Sequence, residues 1–294
     1  MHELAQQIVS GLATGSIFAS LALALVLIYR SMGVINFAQG ELAMFSTFIA
    51  WQLVQIGVPM WGAFFITVVV AFAGGVALER LIIRPVEGAP QLTLVIVTLG
   101  LFTLVNGLAG WLWGYIVKPF PSGFPTTPIN FGGGVEISAQ DLGIIAVSLV
   151  TLTLISLFFS RTKLGLAMRA AALYPEQSRV LGIRVGWMLA LGWGLASVVG
   201  AISGIMIAPS VFLDPNMMQG IVVYAFAAAV LGGIESPVGA VVGGLILGVL
   251  LNLLGTYVDW IGNELRLAAA LAIIVAVLVV KPSGLFGRTT VQRV

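Results

Sequence analysis

Long apolar stretches divide this chain from one end to the other, and they constrain its fold more than any other feature. A helix needs about 20 apolar residues to cross about 30 Å of hydrocarbon. Such a stretch must be helical, because lipid offers no hydrogen-bonding partner to backbone N–H and C=O groups. Charged residues make up only 8% of the chain, whereas soluble domains carry about 25%. The sequence therefore predicts an all-α polytopic membrane protein.

We predict about nine transmembrane helices, or eight to ten if one segment is re-entrant. Two of the nine, 41–56 and 217–234, are short for a membrane crossing. Local residues support several starts; Ser236 and Pro237, for example, supply an N-cap and a first-turn proline. The predicted spans lie roughly at residues 8–29, 41–56, 60–80, 92–114, 140–160, 185–212, 217–234, 237–257 and 264–280.

Basic residues are distributed unequally between the two sides of the membrane in this threading. If the chain crosses the membrane at these nine spans, 11 of the 13 lysines and arginines lie on one side and only Lys118 and Arg266 lie on the other. Because Lys and Arg concentrate in cytoplasmic loops, we predict an outside N-terminus and a cytoplasmic C-terminus. The predicted cytoplasmic set is Arg30, Arg80, Arg84, Arg161, Lys163, Arg169, Arg179, Arg184, Lys281, Arg288 and Arg293.

The pattern Asn-x-x-Gln-Gly occurs twice, at 36–40 and at 216–220, each time before a short span. The two copies are five spans apart, so the chain runs in opposite directions at them. Within a single permease domain over 1–294, this predicts inverted halves at about 8–114 and 185–281. Short segments at corresponding places in inverted halves point to a transport path. A chance match of three identities is the alternative.

The predicted path consists of small and neutral polar residues with one acid, Glu41, placed directly after Gly40. An acid there suits the first turn of a helix, where the dipole favours negative charge, or serves as a gate or path residue. An intramembrane Asn or Gln is equally often a contact between helices. The path candidates are Asn36, Phe37, Gln39, Gly40, Glu41, Asn216, Gln219, Gly220 and Tyr224, joined by Thr98, Asn106, Phe226 and Asn252.

Several classes of site are excluded by residues that the chain lacks. It has one histidine, His2, and no cysteine, so a histidine triad, a multi-histidine metal site and thiol chemistry are ruled out. It has no Gly-x-x-x-x-Gly-Lys-[Ser/Thr] phosphate loop. Without a buried acid pair, ion-coupled transport lacks its usual groups. We expect no enzyme activity, no catalytic residue, no metal and no cofactor, and any ATP must be bound by another subunit.

Five pairs of glycines are spaced Gly-x-x-x-Gly, which places both on one helix face and lets backbones approach closely. A chain with 36 glycines yields such pairs by chance as well. We favour a packing role for the crowded span 237–257. The pairs are Gly11/Gly15, Gly110/Gly114, Gly200/Gly204, Gly239/Gly243 and Gly244/Gly248.

The basic loop 161–184 has the composition of two short helices rather than of a flexible linker. The stretch 164–173 is predicted to be helical, and Pro175 can open a second helix with Glu176 in its first turn. Gly182 is a predicted stop. Such an element either lies on the membrane surface or docks into a groove of a cytoplasmic partner.

Four segments, in the same order along the chain, resemble LivH-type permeases of branched-chain amino acid ABC transporters. They are Gly-Val-Ile-Asn-Phe-Ala-Gln-Gly-Glu at 33–41, the loop 161–184, the glycine-rich stretch 230–245, and Lys-Pro-Ser-Gly at 281–284. The resemblance implies the permease subunit of an ATP-driven importer in a bacterial inner membrane. It implies as partners a second, LivM-like permease, two cytoplasmic ABC ATPases and a periplasmic substrate-binding protein.

The resemblance also makes 161–184 the loop that couples the permease to the ATPases. Its Arg169-Ala170-Ala171 and Gly182 are similar to the Glu-Ala-Ala…Gly motif of importers, although arginine replaces glutamate and the glycine lies farther on. The coupling candidates are Arg169, Ala170, Ala171, Glu176, Arg179, Leu181 and Gly182.

Three other functions remain open from the sequence. Related permeases carry urea or short amides instead of aliphatic amino acids. A stand-alone secondary carrier would need no partners, but the chain has no buried acid pair for ion coupling. A passive membrane scaffold would leave the repeated pattern at 36–40 and 216–220 unexplained.

Overall fold

The structure, a computed structural model, describes residues 2–125, 127–130, 136–258 and 265–287. Two members of the predicted cytoplasmic set, Arg288 and Arg293, lie outside this part of the chain. The described residues are overwhelmingly helical, and the prediction of an all-α polytopic membrane protein is confirmed.

Eleven α-helices occur in the described ranges. Helix α3 continues without a break into a π-helical segment, Glu79–Ile83, and a 3-10 turn, Arg84–Val86. The α-helices are α1 (His2–Met32), α2 (Gln39–Gln55), α3 (Met60–Leu78), α4 (Gln91–Trp113), α5 (Ala139–Arg161), α6 (Lys163–Leu173), α7 (Pro175–Val180), α8 (Val185–Val211), α9 (Gln219–Gly232), α10 (Pro237–Tyr257) and α11 (Arg266–Val280).

Each of the nine predicted spans corresponds to one apolar helix in the described residues. Six of these helices are long and apolar enough to cross a membrane, namely those of α1, α3, α4, α5, α8 and α10. The other three are shorter: α2 has 17 residues, α9 has 14 and α11 has 15. At 1.5 Å per residue, α9 extends only about 21 Å. Helix α9 is therefore too short to cross the hydrocarbon alone.

A small antiparallel hairpin precedes α5 and was not predicted from the sequence. Strand β1 (Pro128–Asn130) pairs with β2 (Glu136–Ser138), with Ile129 opposite Ile137. Three-residue strands carry too little periodicity to be recognised in a sequence. This loop is the principal non-helical structure among the described residues.

The chain forms two compact units, and neither coincides with a predicted half. Unit 1 comprises residues 1–26, 124–146 and 220–294, and unit 2 comprises 27–123 and 147–219. Each unit thus contains segments from both predicted halves. The inverted repeat over 8–114 and 185–281 stays a prediction.

Glycines allow α10 to pack closely on its neighbours in unit 1. A Cβ atom at Gly248 would overlap the backbone of Gly15 in α1, and one at Gly244 would overlap Ala19. On another face, Gly243 lies against the backbone of α9. The predicted packing role of the glycines in 237–257 is confirmed.

Helix α8 is the centre of unit 2, and its side chains are mostly small and buried. It packs against α2, α3 and α6. At the contact with α3, a Cβ atom at Gly75 would lie only 2.6 Å from the Trp193 carbonyl oxygen. Small residues at a helix contact let the backbones come close enough for dispersion to hold them in lipid.

The loop 161–184 folds as its sequence predicts, into helices α6 and α7. The Thr162 hydroxyl caps α6 by accepting a hydrogen bond from the Gly165 N–H at 2.9 Å. Pro175 occupies the first turn of α7, and Gly182 follows with φ +81°. The predicted helix over 164–173, the second helix opened by Pro175 and the stop at Gly182 are confirmed.

The close contact between α1 and α10 yields a stability prediction. Gly248→Ala should lower the free energy of unfolding by about 1–3 kcal/mol, because the new methyl group overlaps the Gly15 backbone. The matched control is Gly100→Ala in α4, where an added Cβ atom meets nothing within 4 Å. The control should be neutral, or stabilising by up to about 1 kcal/mol through helix propensity. Denaturant unfolding in detergent measures both, and equal stabilities would contradict the contact.

Candidate functional site

The first copy of the repeated pattern forms the break between α1 and α2. The Asn36 carbonyl accepts a hydrogen bond from the Gln39 N–H at 3.2 Å, and the Asn36 Nδ2 donates to the Gln39 Oε1 at 3.3 Å. Both side chains are buried. The short pattern thus closes its own turn and starts α2 at Gln39.

Gln39 also connects this break to α8. Its Nε2 donates a hydrogen bond to the Ala196 carbonyl at 3.0 Å. The contact depends on glycine at 200, since a Cβ atom there would lie 2.7 Å from the Gln39 Nε2. Gly204, one turn later, makes room in the same way for Thr47 of α2. The Gly200/Gly204 pair is therefore a packing surface for α2.

The second copy of the pattern forms the break between α8 and α9 with the same local geometry. The Asn216 carbonyl accepts from the Gln219 N–H at 3.0 Å, and the two side chains share a hydrogen bond of 2.9 Å. Helix α9 begins at Gln219, as α2 begins at Gln39. Here, however, both side chains are exposed.

Asn106 of α4 connects the second break to Glu41 of α2. Its Nδ2 lies 3.2 Å from the Glu41 Oε2, 2.9 Å from the Pro215 carbonyl oxygen and 3.2 Å from the Asn216 Oδ1. An amide nitrogen has two hydrogens, so the three acceptors share two donors. We call Glu41, Asn106, Pro215, Asn216 and Gln219 the polar junction; all of its members belong to unit 2.

Backbone pairing holds the α8–α9 break in place next to α4. Helix α8 ends at Val211, and the next residue, Phe212, has a positive φ of +62° that is unusual for a residue with a side chain. Directly after it, Leu213 and Lys118 exchange two backbone hydrogen bonds, of 2.8 and 2.9 Å. This bridge fixes the chain just before Pro215 and Asn216, which Asn106 then contacts.

The polar junction combines one carboxylate with amide groups that both donate and accept hydrogen bonds. Glu41 is only 1% exposed, lies in the first turn of α2 and accepts from Asn106. Both interpretations of Glu41 therefore have structural support, the helix terminus and the polar path. A carboxylate beside amides offers acceptors for an ammonium group and donors for a carboxylate.

The remaining path candidates are distributed between the two units. Gly40 is buried at the start of α2, and Phe37 is 41% exposed just before it. Gly220 and Tyr224 belong to unit 1, where the Tyr224 ring packs on Phe18 with centroids 5.0 Å apart. Half-buried Phe226 follows on the same helix, α9.

Two polar candidates serve helix packing or local geometry. Asn252 of α10 donates through its Nδ2 to the backbone and the side chain of Gln7 in α1, both at 2.7 Å. Asn252 therefore joins two helices, which is the alternative role given above for an intramembrane amide. The Thr98 hydroxyl donates to the Val95 carbonyl of its own helix.

The coupling candidates differ in exposure. Ala171 is buried against Val185 and Leu189 and so anchors α6 to α8. Leu181 is 79% exposed. Arg179 and Glu176 form an exposed ion pair of 2.7 Å on α7. The side chains of Arg169 and Ala170 are partly buried on α6, and Gly182 is exposed in the turn that follows α7.

Sequence reasoning missed the backbone acceptors of the site. The carbonyls of Ala196 and Pro215 carry no residue-specific signal, so no pattern could have revealed them. The central position of Asn106 was also missed, because it depends on α4 packing against α2. Its one available signal was an amide in the middle of an apolar helix.

Comparison with known proteins identifies a family that covers almost the whole chain. Residues 7–280 match the family model described as branched-chain amino acid transport system / permease component. The chain is 30% identical, over 308 residues, to the high-affinity branched-chain amino acid transport system permease protein BraD of Pseudomonas aeruginosa. That alignment covers 100% of this chain and 99% of BraD.

Two further relatives agree over most of their length. The chain is 29% identical to the high-affinity branched-chain amino acid transport system permease protein LivH of Salmonella typhimurium, with 98% of this chain and 97% of that protein aligned. It is 26% identical to the probable branched-chain amino acid transport permease protein LivH of Methanocaldococcus jannaschii, with 91% and 87% aligned.

The contact between Asn106 and Glu41 yields a second prediction. Asn106→Leu should lower the free energy of unfolding by roughly 1–3 kcal/mol, because the buried Glu41 carboxylate loses a donor. In a Glu41→Leu background the same substitution should cost less, since no carboxylate remains to be left unpaired. Denaturant unfolding of the four proteins completes the cycle. Equal costs in both backgrounds would show that the two side chains are not coupled.

Proposed function

This chain belongs to the branched-chain amino acid transport permease family, and we propose that it is the transmembrane permease subunit of an ATP-driven ABC importer. We further propose that its solute is a branched-chain amino acid, received from a binding protein and released into the cytoplasm. The match over residues 7–280 carries the first statement. The second draws on the named function of relatives aligned over the full chain.

The polar junction is the proposed solute path. Its carboxylate and amides suit the charged ends of an amino acid, while the helices around it offer apolar surface to an aliphatic side chain. Exposed Asn216 and Gln219 are placed to meet the solute first, and Glu41 lies deeper. Helix breaks with polar side chains are where transporters expose backbone and side-chain groups to solute without exposing them to lipid.

The loop 161–184 is the proposed coupling element. Helix α6 packs on α8 through Ala171, so force applied to the loop reaches the central helix of unit 2. Helix α7 leads into Val180 and Leu181, which are 88% and 79% exposed. Exposed apolar side chains beside an ion pair are typical of a surface that a partner covers. We propose that this loop couples the chain to the cytoplasmic ATPases, two of which drive the pair of permeases.

The remaining partners and the location follow from the family. We propose a second, LivM-like permease and a periplasmic substrate-binding protein as partners, in a bacterial inner membrane. The N-terminus is proposed to lie outside and the C-terminus in the cytoplasm, because Lys and Arg concentrate at the ends of the helices that this orientation places inside. The chain itself is not an enzyme in this proposal; its partners hydrolyse the ATP.

Uptake in a strain lacking the gene tests the proposed function. The restored chain should rescue uptake of labelled leucine in the presence of its ATPase and binding-protein partners. Excess isoleucine or valine should compete, and urea or short amides should not. The chain alone in liposomes should be inactive. If only urea competes, the solute is urea rather than a branched-chain amino acid. If the isolated chain transports leucine, it is a stand-alone carrier.

The exposed end of the coupling loop generates a third prediction. Arg179→Glu combined with Leu181→Asp should leave the chain inserted but abolish the link between ATP hydrolysis and uptake. Both side chains are exposed, and the ion pair recorded for them within the described residues is Arg179–Glu176. A surface ion pair contributes only about 0–1 kcal/mol. The control is Arg179→Lys with Leu181→Val. Normal leucine uptake in the first double variant would remove the coupling role.

The second helix break generates a fourth prediction. Gly220→Leu should block leucine uptake at normal expression, because it puts a bulky apolar side chain directly after Gln219 of the proposed path, while a Cβ atom at Gly220 meets nothing within 4 Å. Gly74→Leu in α3 is the matched control, since its Cβ atom also meets nothing within 4 Å. Uptake and surface expression are measured together. Wild-type uptake by the Gly220 variant would exclude this position from the path.

A further inference from the structure

We propose that a cavity between the end of α3 and the start of α8 binds the phosphate group of an anionic phospholipid. The cavity, which we call the arginine cleft, has a volume of about 580 Å³ and lies within unit 2. Its lining includes Arg84, Glu87, Arg179, Arg184, Gly186 and Trp187. The polar junction shares no residue with this cavity, whereas Arg179 and Gly182 of the proposed coupling loop line it.

The charges that line the arginine cleft favour an anion. Three arginines face one acid, Glu87, among its lining residues. In the described part of the chain, neither Arg84 nor Arg184 has a carboxylate within salt-bridge distance, whereas Arg179 is paired with Glu176 at 2.7 Å. A guanidinium presents a planar fork of donors that matches two phosphate oxygens. Two unpaired forks around one cavity therefore suit a phosphate group.

Local packing shapes the cleft around Arg84. A Cβ atom at Gly186 would lie 2.7 Å from the Arg84 Nη2, so the absence of a side chain there lets the guanidinium rest against the start of α8. At the rim, the Arg80 guanidinium stacks on Trp187, with its Cζ 3.3 Å from the ring centroid. The Arg80 Nε and Nη2 find no hydrogen-bond partner among the described residues. The buried Glu79 Oε2 also finds no partner there, so the π-helical segment beside the cleft carries unpaired donors and an unpaired acceptor.

The position of the cleft favours a lipid as the source of the phosphate. It lies where two membrane-length helices, Met60–Val86 and Val185–Val211, end and begin. Most basic residues are predicted to lie at this cytoplasmic end, where lipid headgroups are found. Leu81 is 76% exposed and Trp187 is 41% exposed beside the arginines, which offers apolar surface to the acyl chains. Basic pockets between membrane helices bind anionic headgroups in this arrangement.

Lipid binding by the purified chain tests the inference without reference to transport. The full chain in neutral detergent is titrated with phosphatidylglycerol or with phosphatidylcholine of the same acyl chains, and retained lipid is counted by native mass spectrometry. We expect preferential retention of phosphatidylglycerol. Arg84→Gln and Arg184→Gln should each weaken it about tenfold, the loss expected for one charge-assisted contact. Arg161→Gln is the matched control, because Arg161 lies at the end of α5 and does not line the cleft.

A variant with the opposite sign separates binding from misfolding. Glu87→Gln removes the acid from the lining and should strengthen phosphatidylglycerol binding. A damaged fold would weaken binding, so an increase at Glu87 together with decreases at Arg84 and Arg184 identifies the cleft itself. Unchanged retention in the Arg84→Gln, Arg184→Gln double variant would overturn the site.

Two further outcomes would overturn the identity of the ligand. If inorganic phosphate at equimolar concentration displaces phosphatidylglycerol, the acyl chains add nothing to binding and the cleft belongs to a soluble phosphate compound. If the arginine variants bind lipid normally but no longer copurify with the ATPase partners, the cleft is a protein contact. Both results leave leucine uptake as a separate measurement, so failure of this inference is distinguishable from failure of the proposed transport function.

Discussion

A buried backbone needs hydrogen-bond partners wherever a helix is interrupted, and lipid supplies none. Here nearby side chains help to meet that demand: the Asn36 Oδ1 accepts from the Ala38 N–H, and the Asp214 Oδ1 accepts from the Asn216 N–H. Asn36 closes the turn that starts α2, and Asn216 closes the turn that starts α9. Because each turn closes a hydrogen bond within four residues, the chain interrupts its helices with short turns. The two short helices, and the polar junction beside the second break, depend on these turns.

Glycines on the facing helix make room for the buried amide of Gln39 and for close contact between helices. Gln39 reaches the Ala196 carbonyl only because Gly200 has no side chain in the way. The Gly75 contact with Trp193 brings α3 equally close to α8. Close packing of this kind is a main source of helix association in lipid, where burial of apolar surface between helices offers little. A helix built from small residues is therefore able to organise the whole of unit 2.

The sequence was sufficient for the parts of the fold that depend on local chemistry. The apolar segments, the two short helices and the helices of the coupling loop follow from residue composition, Pro175 and Gly182. The division into units 1 and 2, by contrast, depends on which distant surfaces fit. For the same reason the candidate list gave no priority to Asn106 and lacked the Pro215 carbonyl. Asn106 and Pro215 can be recognised as site residues only once α4 and the α8–α9 break are known to be in contact.

The two copies of Asn-x-x-Gln-Gly have the same turn in different surroundings. Asn36 and Gln39 are 1% and 0% exposed, whereas Asn216 and Gln219 are exposed. The backbone turn is the same in both copies, but Asn36 donates to Gln39 in the first, whereas Gln219 donates to Asn216 in the second. The buried copy directs its spare amide to α8 and holds the helices together. Among the described residues, the side chains of the exposed copy bond to another helix only through Asn106 of α4. We infer that their remaining polar groups are available to bind solute.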